Sequence, residues 1–179
     1  PTSPYAEKVS SYLVEVYMNT RSYDAALKSI DRIAKPSAQI LEAKQKILFQ
    51  LGTQSFANAD FEQALKYLNQ SIAIGQYNRQ TKADAYYWCG ESYYRLSRMV
   101  EAARDFNAYL QLTTQPNNEM YALANYNLGY IAFHRKDYTQ ASNYFQKYVQ
   151  LEKGENATAL ADAYNRIGDC HLHVRNFEE

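Results

Sequence analysis

Three histidines, two cysteines and a scatter of carboxylates are the side chains here that could carry acid–base, metal or redox chemistry. His171 and His173 stand two residues apart, so on a helix they point to different faces. His134 lies 39 residues before His173 and could approach it in a repeating fold. Only Asp169 offers itself as a third ligand, whereas zinc needs three or four; a surface histidine pair is expected, and no metal or cofactor is assigned. No glycine-rich phosphate loop and no G-x-S-x-G is present, and the serines lack a histidine at a useful spacing. No catalytic residue is assigned. What remains is aromatic: 18 Tyr, 7 Phe and 1 Trp make up 15% of the chain. Such rings combine large contact area with a polar tip, which suits packing and recognition.

The elements that must position these rings are legible from periodicity. In the stretch 122–150, Ala124, Leu128, Ile131 and Ala132 share one helical face, and Tyr138, Ala141, Phe145 and Tyr148 share another. His134-Arg135-Lys136-Asp137 joins the two. Gly129, inside the first helix, costs about 1 kcal/mol relative to alanine, which points to a close approach of a neighbouring backbone. Ala141 is the expected facing partner. The unit is therefore a helical hairpin with a tight crossing.

The unit recurs. Val14, Gly52, Gly90, Gly129 and Gly168 are spaced by 38, 38, 39 and 39 residues. Asn78, Asn117 and Asn156, at intervals of 39, sit where helices should start and are read as N-caps. Ser37 is read the same way. A fixed period of this size means a solenoid. The copies span 5–36, 37–75, 78–115, 117–154 and 156–179, the last cut short near Phe177. Second helices are expected to start at Ser22, Ala59, Ser97 and Lys136. Cys89, before Gly90, and Cys170, two residues after Gly168, fall two copies apart, too far for a disulfide, so two free thiols are expected.

Leu51-Gly52, Cys89-Gly90, Leu128-Gly129 and Ile167-Gly168, with Asp60-Phe61-Glu62-Gln63-Ala64 and Asp137-Tyr138-Thr139-Gln140-Ala141, resemble the two helix signatures of the tetratricopeptide repeat. The likeness covers nearly the whole chain. It departs in period, since that repeat is about 34 residues long; the extra residues add roughly a turn, expected at the start of each first helix. Where the family prefers a small residue late in the second helix, Ile33, Ser71, Tyr109 and Tyr148 stand, and tyrosine is expected to fill a gap. The long period is similar to that of bacterial cell-envelope assembly factors, which would favour a periplasmic or cell-envelope setting.

The resemblance implies an all-α, right-handed superhelical solenoid of about four and a half antiparallel hairpins, with first helices lining a concave side. On that geometry the groove takes Phe49 and Phe56 from copy two, Tyr87, Tyr94 and Arg95 from copy three, Tyr126, Tyr130, Phe133 and His134 from copy four, and Asn165 and Arg166 from copy five. The family's clamp for a C-terminal carboxylate is matched only by Asn127 and Arg166 and is not expected. The implied role is a protein-interaction scaffold that buries a partner peptide or helix against this aromatic strip. The alternatives are a structural spacer or oligomerisation segment of a larger repeat protein, and an accessory domain of an enzyme whose catalytic part lies elsewhere.

Composition narrows the partners. Lys+Arg and Asp+Glu both number 19, which argues against a basic nucleic-acid surface. No run of 18 apolar residues exists, so no direct membrane insertion is expected. The chain starts at Pro1 without a visible signal peptide and stops within a copy, which reads as a piece of a longer protein. Self-association is possible through the exposed repeat ends.

Overall fold

The computed structural model describes residues 4–175; the expectation for Phe177 lies outside them. Among the described residues the chain is helical with no strand: α1 Pro4–Asn19, α2 Tyr23–Asp31, α3 Ala38–Ala57, α4 Phe61–Ile74, α5 Arg79–Arg95, α6 Met99–Leu112, α7 Glu119–His134, α8 Tyr138–Leu151 and α9 Ala157–Arg175. Odd-numbered helices are the first helices of each copy and even-numbered ones the second. Each packs on its predecessor in the chain, giving an all-α solenoid.

Every joint inside a hairpin is built alike. In copy two, Ala59 N–H donates to Phe56 O and Asp60 N–H to Ser55 O, both at 2.9 Å. This closure puts one residue in the left-handed region: Arg21 (φ 55°), Ala59 (59°), Ser97 (59°) and Lys136 (62°). Ala59, Ser97 and Lys136 are therefore the turn, and α4, α6 and α8 start two residues later than the sequence reading places them. Asp60 and Asp137 then cap by accepting from Gln63 N at 3.2 Å and Gln140 N at 3.1 Å. A carboxylate here satisfies free amides and faces the positive end of the helix dipole.

Between hairpins, Ser37, Asn78 and Asn156 cap α3, α5 and α9, accepting from Ile40, Thr81 and Ala159 N–H. The α7 cap is Asn118, which accepts from Tyr121 N at 2.9 Å. The strict 39-residue interval to Asn117 is thus off by one. The buried Tyr109 explains it, since its hydroxyl donates to Asn118 Oδ1 at 3.1 Å and holds that residue in place.

The crossing inside the second, third and fourth hairpins rests on a glycine. A Cβ built on Gly52 would lie 2.6 Å from Leu68 Cγ, one on Gly90 2.7 Å from Phe106 Cδ1, and one on Gly129 2.8 Å from Phe145 Cε1. The partner is the large residue 16 positions on, not Ala141, as the sequence reading has it. Alanines Ala26, Ala64, Ala102 and Ala141 are fully buried one turn earlier and let the helices close. Copy one has Val14 and Ile30 at these two positions, both buried. Gly168 has nothing within 4 Å of such a Cβ.

The late second-helix position behaves as a polar latch on the following turn. Tyr109 and Tyr148 are fully buried, with Ala83 and Ala122 opposite in the first helices. Tyr148 donates to Glu152 Oε2 at 3.1 Å, and Glu152 Oε1 in turn accepts from Glu155 and Asn156 N–H. In copy two the sizes are exchanged. Ser71 is small, and the first helix supplies Gln45, fully buried, which bonds both N–H and C=O of Asn78 at 3.0 and 2.8 Å. Tyrosine fills the gap in two copies, as expected; glutamine reaching from the other helix fills it in one.

Copy three also buries a carboxylate. Asp105 is 1% exposed, and its Oδ1 accepts from Arg104 Nε at 2.7 Å, while Oδ2 has no hydrogen-bond partner. Burial raises its pKa, and Arg104, 62% exposed, opposes this incompletely. Both cysteines are free and buried, and burial pushes both thiols up. Apolar side chains stand exposed at the ends of the stack: Val9, Tyr12, Leu13 and Val16 on α1, Tyr164 and Leu172 on α9. No described helix is long and apolar enough to cross a membrane.

Two outcomes follow. Gly90→Ala should destabilise by about 1–3 kcal/mol through overpacking against a fixed ring, whereas Gly168→Ala should stabilise α9 by up to about 1 kcal/mol; chemical denaturation followed by circular dichroism reads both. For Asp105 the folded pKa lies above the unfolded one, so the native state holds the extra proton and stability falls as pH rises through that window. Asp105→Asn should flatten this slope and raise the melting temperature at neutral pH; an unchanged pH profile would contradict the assignment.

Candidate functional site

The helix face expected to be a free aromatic groove is in large part a seam between successive first helices. One residue leaves the surface altogether. Tyr87 is 3% exposed, with its ring 5.8 Å from Phe106 and 5.4 Å from Tyr109. Its place, three before the glycine on α5, turns it toward α6, and its hydroxyl emerges to donate to Glu91 Oε1 at 3.1 Å.

The rest pair along the stack. Phe56 of copy two meets Trp88 of copy three edge-on, with centroids 4.9 Å apart, and the exposed Arg95 lies 5.9 Å over the Phe56 ring. Glu91 of copy three accepts from Asn127 Nδ2 of copy four at 2.6 Å. Tyr126 and Tyr130 of copy four, packed on the buried Phe145, both donate to Oδ2 of Asp162 in copy five, Tyr126 at 2.8 Å. Burial, reinforced by those bonds, raises both phenol pKa values and keeps them as donors. Phe133 lies edge-on beside both Tyr138, at 5.4 Å, and His173, at 6.3 Å.

Phe49 and Tyr94 are half-buried against the central core, and His134 and Asn165 are exposed. Arg166 pairs with Asp169 at 2.7 Å, lies 3.6 Å from Asp162, and sits 5.6 Å over Phe133. The clamp therefore has neither of its matched residues to spare, since Asn127 is held by Glu91 and Arg166 by Asp169. The sequence reading leaves Trp88 and Asp162 out of the aromatic strip. The available signal was Asp162 six residues before Gly168, one copy after two tyrosines flanking Gly129.

Two hollows lie at the ends of the stack, the one at α9 beside Asn165 and Arg166 of the strip. One of about 620 Å³ lies between α1 and α3, bounded by Tyr12, Met18 and Ile40. The other, about 800 Å³, lies against α9 beside Tyr164, Gly168 and Leu172. Among the described residues no group of three or more His, Cys, Asp or Glu could hold a metal. His173 instead stacks flat on Tyr138, with centroids 4.3 Å apart at 8°.

The seam has a measurable consequence. Tyr126→Phe with Tyr130→Phe removes both bonds to Asp162, each worth about 1–3 kcal/mol to a charged acceptor. Amide hydrogen exchange in α9 should accelerate while α5 and α6 keep their protection; unchanged exchange in α9 would contradict the seam.

The comparisons with known proteins agree with this geometry. Tetratricopeptide repeat models match residues 49–118 and 122–154. A search of curated protein sequences gave no match. Among solved structures, MamA is similar at 17% identity and TM-score 0.60, covering 98% of this chain and 90% of its own. BtubC from P. vanneervenii is 13% identical, with TM-score 0.63 over 94% of this chain and 73% of its own. YrrB, described as a TPR protein with an unusual peptide-binding site, is 16% identical, with TM-score 0.61 over 91% of this chain and 75% of its own. At these identities the structural likeness speaks for the fold alone. The two repeat models together span more than half of the residues, on hairpins that share one glycine-centred crossing, and the chain belongs to the tetratricopeptide repeat family.

Proposed function

We propose that this array, a non-catalytic protein–protein interaction scaffold by family, takes a partner segment along the face of its first helices. The observation that carries the reading is the partial exposure of the strip. Phe56, Trp88, Tyr94, Tyr130 and Phe133 are each half-buried; Phe56 and Trp88 are held against each other and Tyr130 by its bond to Asp162. Rings already held lose little conformational freedom when a partner covers them. An aromatic patch with arginines at its margin has the composition of an interface hot spot.

A partner reached through this face should be sensitive to the residues that the seam leaves free. Tyr94→Ala combined with His134→Ala removes contact area without breaking a bond between repeats. In a quantitative pull-down from native extract, capture should fall by about tenfold or more, with an unchanged circular dichroism spectrum. Equal capture by the variant and the parent would overturn the face as the binding surface.

A further inference from the structure

The charge on this face is unevenly answered. Glu91 accepts from Tyr87 and Asn127, both neutral donors, and among the described residues no cation pairs with it. Arg95, one turn on, lies over the Phe56 ring instead. Asp162 accepts from two phenols, and Arg166 stands 3.6 Å from its other oxygen while bonding Asp169 at 2.7 Å. Asp84, on the same stripe of α5 as Glu91, accepts only from Gln80, at 2.7 Å. The face thus holds Asp84, Glu91, Asp162 and Asp169 against Arg95 and Arg166, with Lys46 already paired to Glu42. Neutral donors orient a carboxylate and leave its charge in place, and a partner cation can still be attracted to it.

We propose that the segment bound by this face is basic, with lysine or arginine side chains seated at Glu91 and Asp162 between the aromatic rings. The geometry favours this in two ways. Both carboxylates are fixed by bonds from the preceding or following repeat, so they need no reordering on binding. Rings stand beside both: the half-buried Tyr94 is one turn from Glu91 on α5, and Tyr126 and Tyr130 reach Asp162 with their hydroxyls. A cation that meets a carboxylate and a ring face together gains from both. The inference rests on the first-helix face being the binding surface.

The test uses three short fluorescein-labelled peptides with the same leucine and alanine positions and with lysine, glutamine or glutamate at the remaining ones. Fluorescence anisotropy gives their affinities at low and raised sodium chloride. The lysine peptide should bind at least about fivefold tighter than the glutamine peptide, and the glutamate peptide weakest. Glu91→Gln and Asp162→Asn keep the acceptors for Asn127 and the tyrosines and remove the charge. Each should weaken only the lysine peptide, by about fivefold, with the helical circular dichroism spectrum retained, and raised salt should reduce the difference. Equal affinity of the lysine and glutamine peptides, both lost in the Tyr94→Ala/His134→Ala variant, would overturn the basic partner while keeping the face. Failure of all three peptides to bind would overturn both.

Discussion

Bare backbone at one point of the three central first helices, α3, α5 and α7, is what lets this stack form. At Gly52, Gly90 and Gly129 the second helix lays Leu68, Phe106 or Phe145 directly against the glycine. Burying a ring there is worth about 2–3 kcal/mol, which outweighs the roughly 1 kcal/mol that a glycine costs inside a helix. The close crossing also fixes which way each hairpin faces, so the next one packs in a set orientation. Copy one departs from the rule, with Val14 at the first position and Ile30 at the second, both buried.

Two further sets of contacts turn separate hairpins into an array. Buried polar tips, from Tyr109 and Tyr148 or from Gln45, satisfy the turn that leads into the next copy. Across the first helices, Phe56 with Trp88, Asn127 with Glu91, and Tyr126 and Tyr130 with Asp162 tie each copy to the one after it. These residues hold the repeats together and line the proposed binding face. The rings that a partner would touch are held by the same bonds that join the repeats, and a substitution at Tyr130 would disturb both.

Much of this was legible in the sequence because repetition amplifies weak signals. The period, the hairpins and the glycine crossing follow from Gly52, Gly90, Gly129 and Gly168, and three of the four asparagine and serine caps hold. Helix starts were read two residues early because left-handed turns usually announce themselves by glycine, and here Ala59, Ser97 and Lys136 take that conformation. The face was harder. Whether a ring at a given register is free or is spent on a neighbour depends on the rotation between copies, which periodicity does not encode. Tyr87 is therefore buried where exposure was expected, and Asp162 joins the strip unannounced. The exchange of Gln45 and Ser71 for Ala83 and Tyr109 is invisible copy by copy and plain once the pairs are compared.

The central claim is that glycine and the residue 16 positions on form one steric unit. A double-mutant cycle on Gly90→Ala and Phe106→Leu, read by chemical denaturation, tests it most directly. Relieving the ring should recover part of the alanine's cost, giving a favourable coupling of about 1–2 kcal/mol. Strictly additive effects of the two substitutions would contradict the crossing as the contact on which the array depends.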